Sequence, residues 1–462
     1  MNDRTNTVAA VESASKPTLT MNRWMVVVGA VLIQMCLGAI YAWSVFTPKL
    51  LAAPFSFSKT QTQIIFSVGL AAFAIMTIVG GRWQAKVGPT TVVRVGGLVL
   101  AIGYILGGLA ERLVPGSVFY GMLVGIGLIG GAGIGLAYVV PIAAGVKWFP
   151  DKKGLITGLA VAGFGFGALI WIYLGQGFAG WTGLLASLGV STVFMLYGLV
   201  FFVLVMLGSV WMKNPPEGFK PAGWTGAGPA AGRGAVAAAA FESGEMLATP
   251  QFYMLWIMFS FGAMAGLMVI GIIKLFGIDA LRAKSGLTAL EASAIAGTAM
   301  AVFYAIANGL GRIVWGIVSD KIGRKPSLAL MLAAQGVVML LFFYMGGTRG
   351  LLYLGAALIG FNFGGNFALF PAATADFFGN KNVGKNYGWV FTSYGVGGIA
   401  GPIMAGLFTD AGKKAVEGAA NPAAALAAAL NAWHPAFIIA GIACLFAAVL
   451  ALLLRAPKKA AA

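Results

Sequence analysis

Apolar runs long enough to cross a bilayer recur along the whole chain, separated by short polar breaks. They fall at about 24–46, 61–80, 90–110, 117–140, 154–175 and 188–212. A second set follows at about 252–276, 291–318, 327–346, 351–374, 385–408 and 434–454. A helix needs about 20 apolar residues to span the hydrocarbon core, so the pattern predicts an all-α membrane protein with twelve transmembrane helices. Between the sets the chain reads KNPPEGFKPAGWTGAGPAAGRGA, rich in Pro, Gly and Ala, which predicts a flexible connector. The expected organisation is a tail over 1–21, a six-helix bundle over 22–212, a connector over 213–250, a second six-helix bundle over 251–455 and a tail over 456–462.

The two sets repeat one another. A shift of 230 residues lays Pro141 on Pro371, Gly130 on Gly360 and Gly135 on Gly365. The same shift lays Gly154, Gly158, Gly165 and Gly167 on Gly384, Gly388, Gly395 and Gly397. Span four therefore corresponds to span ten and span five to span eleven. Each pair is six spans apart, so the halves run in the same direction and form a pseudo-symmetric pair. Parallel halves around a central path suit alternating access by rocking.

Composition agrees and adds a direction. Of the 462 residues 60% are hydrophobic and only 9% charged, against about 25% charged in a typical soluble domain. The net charge of +17 raises the question of nucleic acid. With both termini cytoplasmic, however, roughly 19 of the 30 Lys and Arg residues fall on the inner side and roughly nine outside. Topology accounts for the basicity, and no nucleic-acid partner is expected. Cys36 and Cys444 lie within apolar runs, His434 is the sole histidine, and no metal-ligand spacing occurs. The sequence thus predicts neither a cofactor nor a metal, and it offers no nucleophile or base constellation for an enzyme.

Two basic residues, Arg94 and Arg312, fall inside spans. Arg312 precedes Asp320 by eight residues, which places it about 12 Å into the membrane from the inner end of span eight. Its side chain leans toward the bilayer centre, where a charge costs at least about 2.5–3.5 kcal/mol. None of the thirteen acids is clearly mid-membrane: they lie in tails, the connector, loops or span ends, with Asp320 and Asp376 near inner ends. An anionic substrate is the natural partner, since a guanidinium meets a carboxylate with two parallel hydrogen bonds. The alternative is a structural role, with Arg312 held by carbonyls or by Asp376. Asn308 lies one turn earlier on the same face and Tyr304 a turn before that. Gln34 and Tyr41 share a face of span one, Tyr138 lies in span four, and Asn362 and Asn366 form a polar pair in span ten. Each of these also has a plain reading as interhelical hydrogen bonding, and Trp43 and Phe391 fit packing equally well.

After span eight the chain reads GIVSDKIGRK, carrying Gly316, Asp320, Gly323, Arg324 and Lys325. Gly323 permits a sharp turn, and Asp320 sits among cations that can close a latch at the inner face. The segment resembles the major facilitator superfamily signature. That resemblance implies the major facilitator fold, with Asp320 and Arg324 stabilising one conformational state rather than touching substrate. The N-terminal copy, GRWQAKVGPT, keeps Gly81 and Gly88 but has Ala85 where the acid belongs, so its latch is expected to be weaker.

GAIYAWSVF in span one, KWFPDKKGLITGLAVAGFGFG from span four into five, and NGLGR in span eight together resemble the oxalate/formate antiporter family and its relatives, the monocarboxylate transporters. Locally, Asp151 is placed to cap the helix opening at Lys152. The resemblance implies that Arg312 binds a substrate carboxylate and favours Tyr138 as a pocket residue. It also marks two departures. Asn308 stands where monocarboxylate transporters commonly carry an acid, which argues against carboxylate-mediated proton coupling. Tyr394, in FTSYG, stands where oxalate carriers carry a second buried cation, a lysine. One cation suits a monocarboxylate, and the tyrosine hydroxyl can still bond a carboxylate, hydroxyl or keto group.

The expected function is secondary active transport of a small organic anion, a monocarboxylate such as lactate, pyruvate or formate, by rocker-switch exchange or proton symport. The expected site comprises Arg312, Asn308, Tyr394, Tyr138, Tyr41 and Gln34. Two alternatives stand beside it: an oxalate/formate-type dicarboxylate antiporter, with Lys274 replacing the missing lysine, and a transport-deficient carboxylate sensor. The expected setting is a bacterial inner membrane, with the protein acting as a monomer.

Overall fold

A computed structural model describes residues 21–43, 46, 49–50, 52–57, 59–177, 181–221 and 240–457. Residues 1–20 of the expected tail, 222–239 of the connector and 458–462 lie outside the described residues. Each apolar run becomes a helix, because in lipid the backbone must satisfy its hydrogen bonds within the segment. The first six are α1 (Arg23–Ala42), α2 (Lys59–Val87), α3 (Pro89–Gly108), α4 (Pro115–Trp148), α5 (Lys153–Gln176) and α6 (Leu184–Ser209). The second six are α7 (Pro250–Ser285), α8 (Ala289–Ile322), α9 (Arg324–Met345), α10 (Arg349–Phe378), α11 (Val383–Glu417) and α12 (Pro422–Leu453). Among the described residues, eleven of these are long and apolar enough to cross a membrane. The twelfth, α11, is 35 residues long.

Helix ends follow backbone chemistry more than hydropathy. With 36 residues, α7 is about 54 Å long and outruns the hydrocarbon core. It begins at Pro250 behind a Thr249 cap and stops at Gly286, which is left-handed at φ 64°. Thr288 and Glu291 form a capping box that starts α8. The two signature loops turn alike: Gly88 takes φ 87° and ψ 161° before α3, and Gly323 takes φ 93° and ψ 162° before α9. Few residues other than glycine accept that conformation.

Packing repeats six helices apart. In the first six, α1 lies on α5, α2 on α4 and α3 on α6; in the second, α7 lies on α11, α8 on α10 and α9 on α12. Pro141 and Pro371 sit inside α4 and α10 at corresponding places. Two helix pairs make the most extensive contact between the halves, α5 with α8 and α2 with α11. Glycines make both joints. A Cβ on Gly316 would fall on the carbonyl of Gly154, and one on Gly81 would fall on the carbonyl of Gly384. Small residues let helix backbones meet in this way, gaining van der Waals contact where lipid supplies no hydrophobic drive.

The connector is not a linker throughout. Its end is docked: Phe241 is buried, its amide donates to the Phe378 carbonyl, and Asn382 and Asn386 donate to its own carbonyl. A one-turn helix, Ser243–Leu247, then leads to α7. An aromatic anchor and side-chain amides thus fix a stretch whose composition alone reads as flexible.

The glycine joint yields a prediction. A thiol introduced at Ser319, which is 1% exposed, should label slowly with a water-soluble maleimide, and the natural Cys36 and Cys444 are buried. Adding Gly316→Leu should part α5 from α8 and raise the labelling rate several-fold. An unchanged rate would show that the glycine contact does not hold the halves.

Candidate functional site

The α5–α8 joint sets the position of Arg312. Gly158 packs on the Arg312 backbone carbonyl, and Gly165 faces Gly309, Asn308 and the Arg312 side chain. The close approach brings the guanidinium within reach of the facing helix. Arg312 Nη1 donates to the Val161 carbonyl at 2.7 Å, and Nε donates to Asn308 Oδ1 at 2.9 Å. The Cζ atom lies 4.2 Å from the centre of the Phe367 ring and 5.6 Å from that of Phe164, where ring quadrupoles attract a cation. Arg312 is 0% exposed, and Nη2 has no hydrogen-bond partner among the described residues.

No ion pair found among the described residues includes Arg312. Asp376, the acid expected as its alternative partner, is taken by Arg324 Nε at 2.7 Å and Lys153 Nζ at 2.6 Å. Carbonyl support is present, from Val161, but it engages one face of the guanidinium and leaves Nη2 free.

The other expected residues gather around this cation. The Tyr41 and Tyr394 hydroxyls meet, joining α1 to α11 across the halves. Tyr394 stacks on Phe391 at 4.9 Å, and Phe391 lies 4.7 Å from Tyr138. Gln34 donates to the Tyr138 carbonyl at 2.9 Å. The Gln34 Oε1, Tyr138 hydroxyl and Asn366 Oδ1 are buried without partners among the described residues. Asn362 accepts instead from the Trp315 indole at 3.2 Å, and Tyr304 donates to the Gly266 carbonyl at 3.0 Å, so both serve packing. Trp43 stacks with Phe194 at 6.2 Å, within the first half.

Sequence reasoning missed Tyr387, Phe164, Phe367 and the Val161 carbonyl. Tyr387 is 1% exposed, its hydroxyl is unpartnered among the described residues, and its ring lies 5.7 Å from Phe391. It stands two turns before Tyr394 on the same helix face, so α11 periodicity could have found it. The carbonyl had no sequence signal.

At one end of the bundle the latch is closed. Asp320, from α8, accepts from the Gly154 and Leu155 amides of α5, each at 2.8 Å. Negative charge is favoured at that helix end, so Asp320 caps α5 from the opposite half. The expected Asp151 cap is absent: Lys152 precedes α5 without a side-chain bond, and Asp151 pairs with Arg23 at 2.8 Å. Arg324 bridges Asp320 at 2.8 Å and Asp376 at 2.7 Å. Gly316 and Gly323 supply the joint and the turn, whereas Lys325 is exposed and outside the ion pairs found among the described residues. Lys274 is also exposed, on the outer face of α7.

Twelve helices in two packed halves, with a buried cation between them, define a multi-pass membrane carrier. The chain belongs to the Major Facilitator Superfamily, whose family model matches residues 26–303 and 280–462. It is 33% identical to the MFS-type transporter YhjX of Escherichia coli K12 over 386 residues, covering 82% of this chain and 86% of that one. It is 29% identical to the oxalate:formate antiporter of Oxalobacter formigenes over 384 residues, 82% and 83% of the two chains. The apicoplast pyruvate carrier 1 of Toxoplasma gondii is 26% identical over 475 residues, 84% of each. Among solved structures, the proton:xylose symporter XylE superposes with a TM-score of 0.63 at 13% identity, covering 92% of this chain and 94% of that one, which shows the shared fold. The protein is thus a transporter, not an enzyme, and acts on a small molecule within a bilayer.

Asn308 carries one of the two hydrogen bonds to a buried charge, and such bonds contribute about 1.5–3 kcal/mol. Asn308→Ala should therefore lower the thermal unfolding midpoint of the purified protein. A midpoint equal to that of the natural chain would show that Asn308 does not support Arg312.

Proposed function

We propose that the protein is a secondary active transporter of small organic anions, specifically a monocarboxylate of the lactate, pyruvate or formate kind. The observation that carries this reading is the buried Arg312 guanidinium, which lacks a carboxylate partner and has Nη2 free. A substrate carboxylate supplies the missing charge and accepts from that free donor. The named activities of the Oxalobacter and Toxoplasma relatives, oxalate:formate antiport and pyruvate carriage, support an anionic substrate.

Substrate size and charge follow from the surroundings. By the resemblance to oxalate carriers Tyr394 stands where a second cation would be, and Lys274 is exposed, so one buried positive charge meets one negative charge. Tyr41, Tyr138, Tyr394 and Gln34 offer neutral polar groups for the rest of the molecule. Asn308 stands where the resemblance to monocarboxylate transporters expects an acid, and among the described residues no carboxylate pairs with Arg312, which favours exchange over proton symport. The empty carrier must turn over with an uncompensated buried charge, whereas the loaded carrier is neutral there. We place the Asp320–Arg324 latch on the cytoplasmic side, with both termini on that side of a bacterial inner membrane, and the carrier working as a monomer. Rocking of the halves would then open and close that latch in each cycle.

Counterflow in proteoliposomes tests the reading with a panel of mono- and dicarboxylates. Lactate, pyruvate or formate should outcompete oxalate, and Arg312→Ala should cut exchange at least about tenfold, the loss of a charge-assisted bond. Exchange should ignore an imposed pH gradient, whereas Asn308→Asp should introduce a dependence on it. Oxalate preference would overturn the monocarboxylate assignment, and normal exchange by Arg312→Ala would overturn the role of the cation.

A further inference from the structure

The two signature loops share their two glycines and a lysine, Lys86 and Lys321, but the acid of one is missing from the other, and a cleft lies beside that position. Gly81 meets α11 as Gly316 meets α5, and Gly88 turns the chain as Gly323 does. Four residues after the glycine, one copy has Asp320 and the other Ala85. Asp320 fills its place with a carboxylate set against the Gly154 and Leu155 amides. The counterparts of those residues, 230 further on, are Gly384 and Lys385. There the acid is missing, the Gln84 amide lies over Gly384, and a solvent-open cleft of about 370 Å³ is lined by Arg82, Ala85 and Lys86 of α2, Lys385 of α11, and Glu242, Ser243 and Gly244.

The lining is basic and spans both halves. Arg82 and Lys86 come from the first half, Lys385 from the second and Glu242 from the connector end docked on it. Glu242 is already engaged, accepting from Asn382 at 3.0 Å and from Lys385 at 3.3 Å. Neither Arg82 nor Lys86 belongs to an ion pair found among the described residues. The Arg82 guanidinium is braced over the Trp389 ring of α11 at 5.1 Å, at the border of the two halves. Three cations against one carboxylate leave two positive charges facing a space that its symmetry mate fills with an anion.

We propose that this cavity binds a phosphate group, which stands in for the absent carboxylate and ties α2 to α11. The space exceeds what a lone carboxylate needs. A free phosphate or phosphate monoester carries about 1.5–2 negative charges near neutrality and three acceptor oxygens, a phosphodiester headgroup carries a single charge and two free oxygens, and arginine and lysine are usual partners of both. The bound group contacts both halves only while this end of the bundle is closed, so it favours the closed state by mass action. The cavity sits at the end of the bundle, where both a lipid headgroup and free phosphate have access. This site is independent of the Arg312 pocket.

Thermal unfolding of the full-length carrier tests the proposal. In detergent, inorganic phosphate replaces chloride at constant ionic strength; in nanodiscs, phosphatidylcholine is used with and without phosphatidylglycerol. The natural chain should gain about 2 °C in midpoint with at least one of these. A response to inorganic phosphate identifies a free anion, and a response to phosphatidylglycerol alone identifies a lipid headgroup. The Arg82→Gln/Lys86→Gln variant should lose the response, and so should Ala85→Asp, which restores an internal acid. Counterflow by each variant reports that it is folded. No shift with either phosphate source would overturn the proposal, as would an equal shift in Ala85→Asp or in the double variant.

Discussion

A full positive charge at the centre of the bundle is the constraint around which the structure is organised. Its insertion costs at least about 2.5–3.5 kcal/mol, a cost that two hydrogen bonds and two aromatic faces offset while Nη2 stays without a partner among the described residues. The Arg312 contacts come from both halves: Asn308 and Phe367 from the second, Val161 and Phe164 from the first. If the halves rock as proposed, the charge would lose the first-half contacts and need others. A substrate anion travelling with it would remove this barrier, so recognition and reorientation would become one electrostatic problem.

The latch depends on the same joint. Gly154, Gly158 and Gly165 line one face of α5 at helical spacing, and α8 answers with Gly309 and Gly316. One close crossing therefore seats Asp320 on the amides at the start of α5 and delivers Arg312 to Val161 deeper in the bundle. Opening at the latch end would disturb both together. Arg324 strengthens the closed arrangement by binding two acids, and Lys153 brings the first half into the network through Asp376. The second joint, between α2 and α11, has the same glycine contact without the acid. Its basic cavity makes the two joints electrically unlike although their backbones match.

Much of the fold was legible because lipid enforces a simple rule, in which long apolar runs must be helices. The repeat was legible because glycines and prolines mark backbone constraints that both halves share. The twelve-helix architecture follows from those two signals, and the family match agrees with it. Helix ends were less legible: α7 runs to Ser285 because nothing before Gly286 stops it, although its apolar stretch ends earlier. At the site, charge and side-chain type pointed to Arg312 and its neighbours. Sequence could not reveal that Asp320 caps α5 while Asp151 turns to Arg23, since both acids lie close to that helix start and only the crossing of the halves decides between them. The Val161 carbonyl and the docking of Phe241 were likewise invisible, because backbone groups and long-range contacts leave no mark on local pattern.

The central claim is that Arg312 recognises negative charge on the substrate, and a neutral isostere tests it most directly. Equilibrium binding to the purified carrier should be measured for lactate and for lactamide, which share shape and hydroxyl but differ in charge. The account predicts that lactate binds at least about tenfold more tightly, in line with a charge-assisted hydrogen bond, and that Arg312→Ala removes the difference. Equal binding of the two compounds by the natural chain would contradict it.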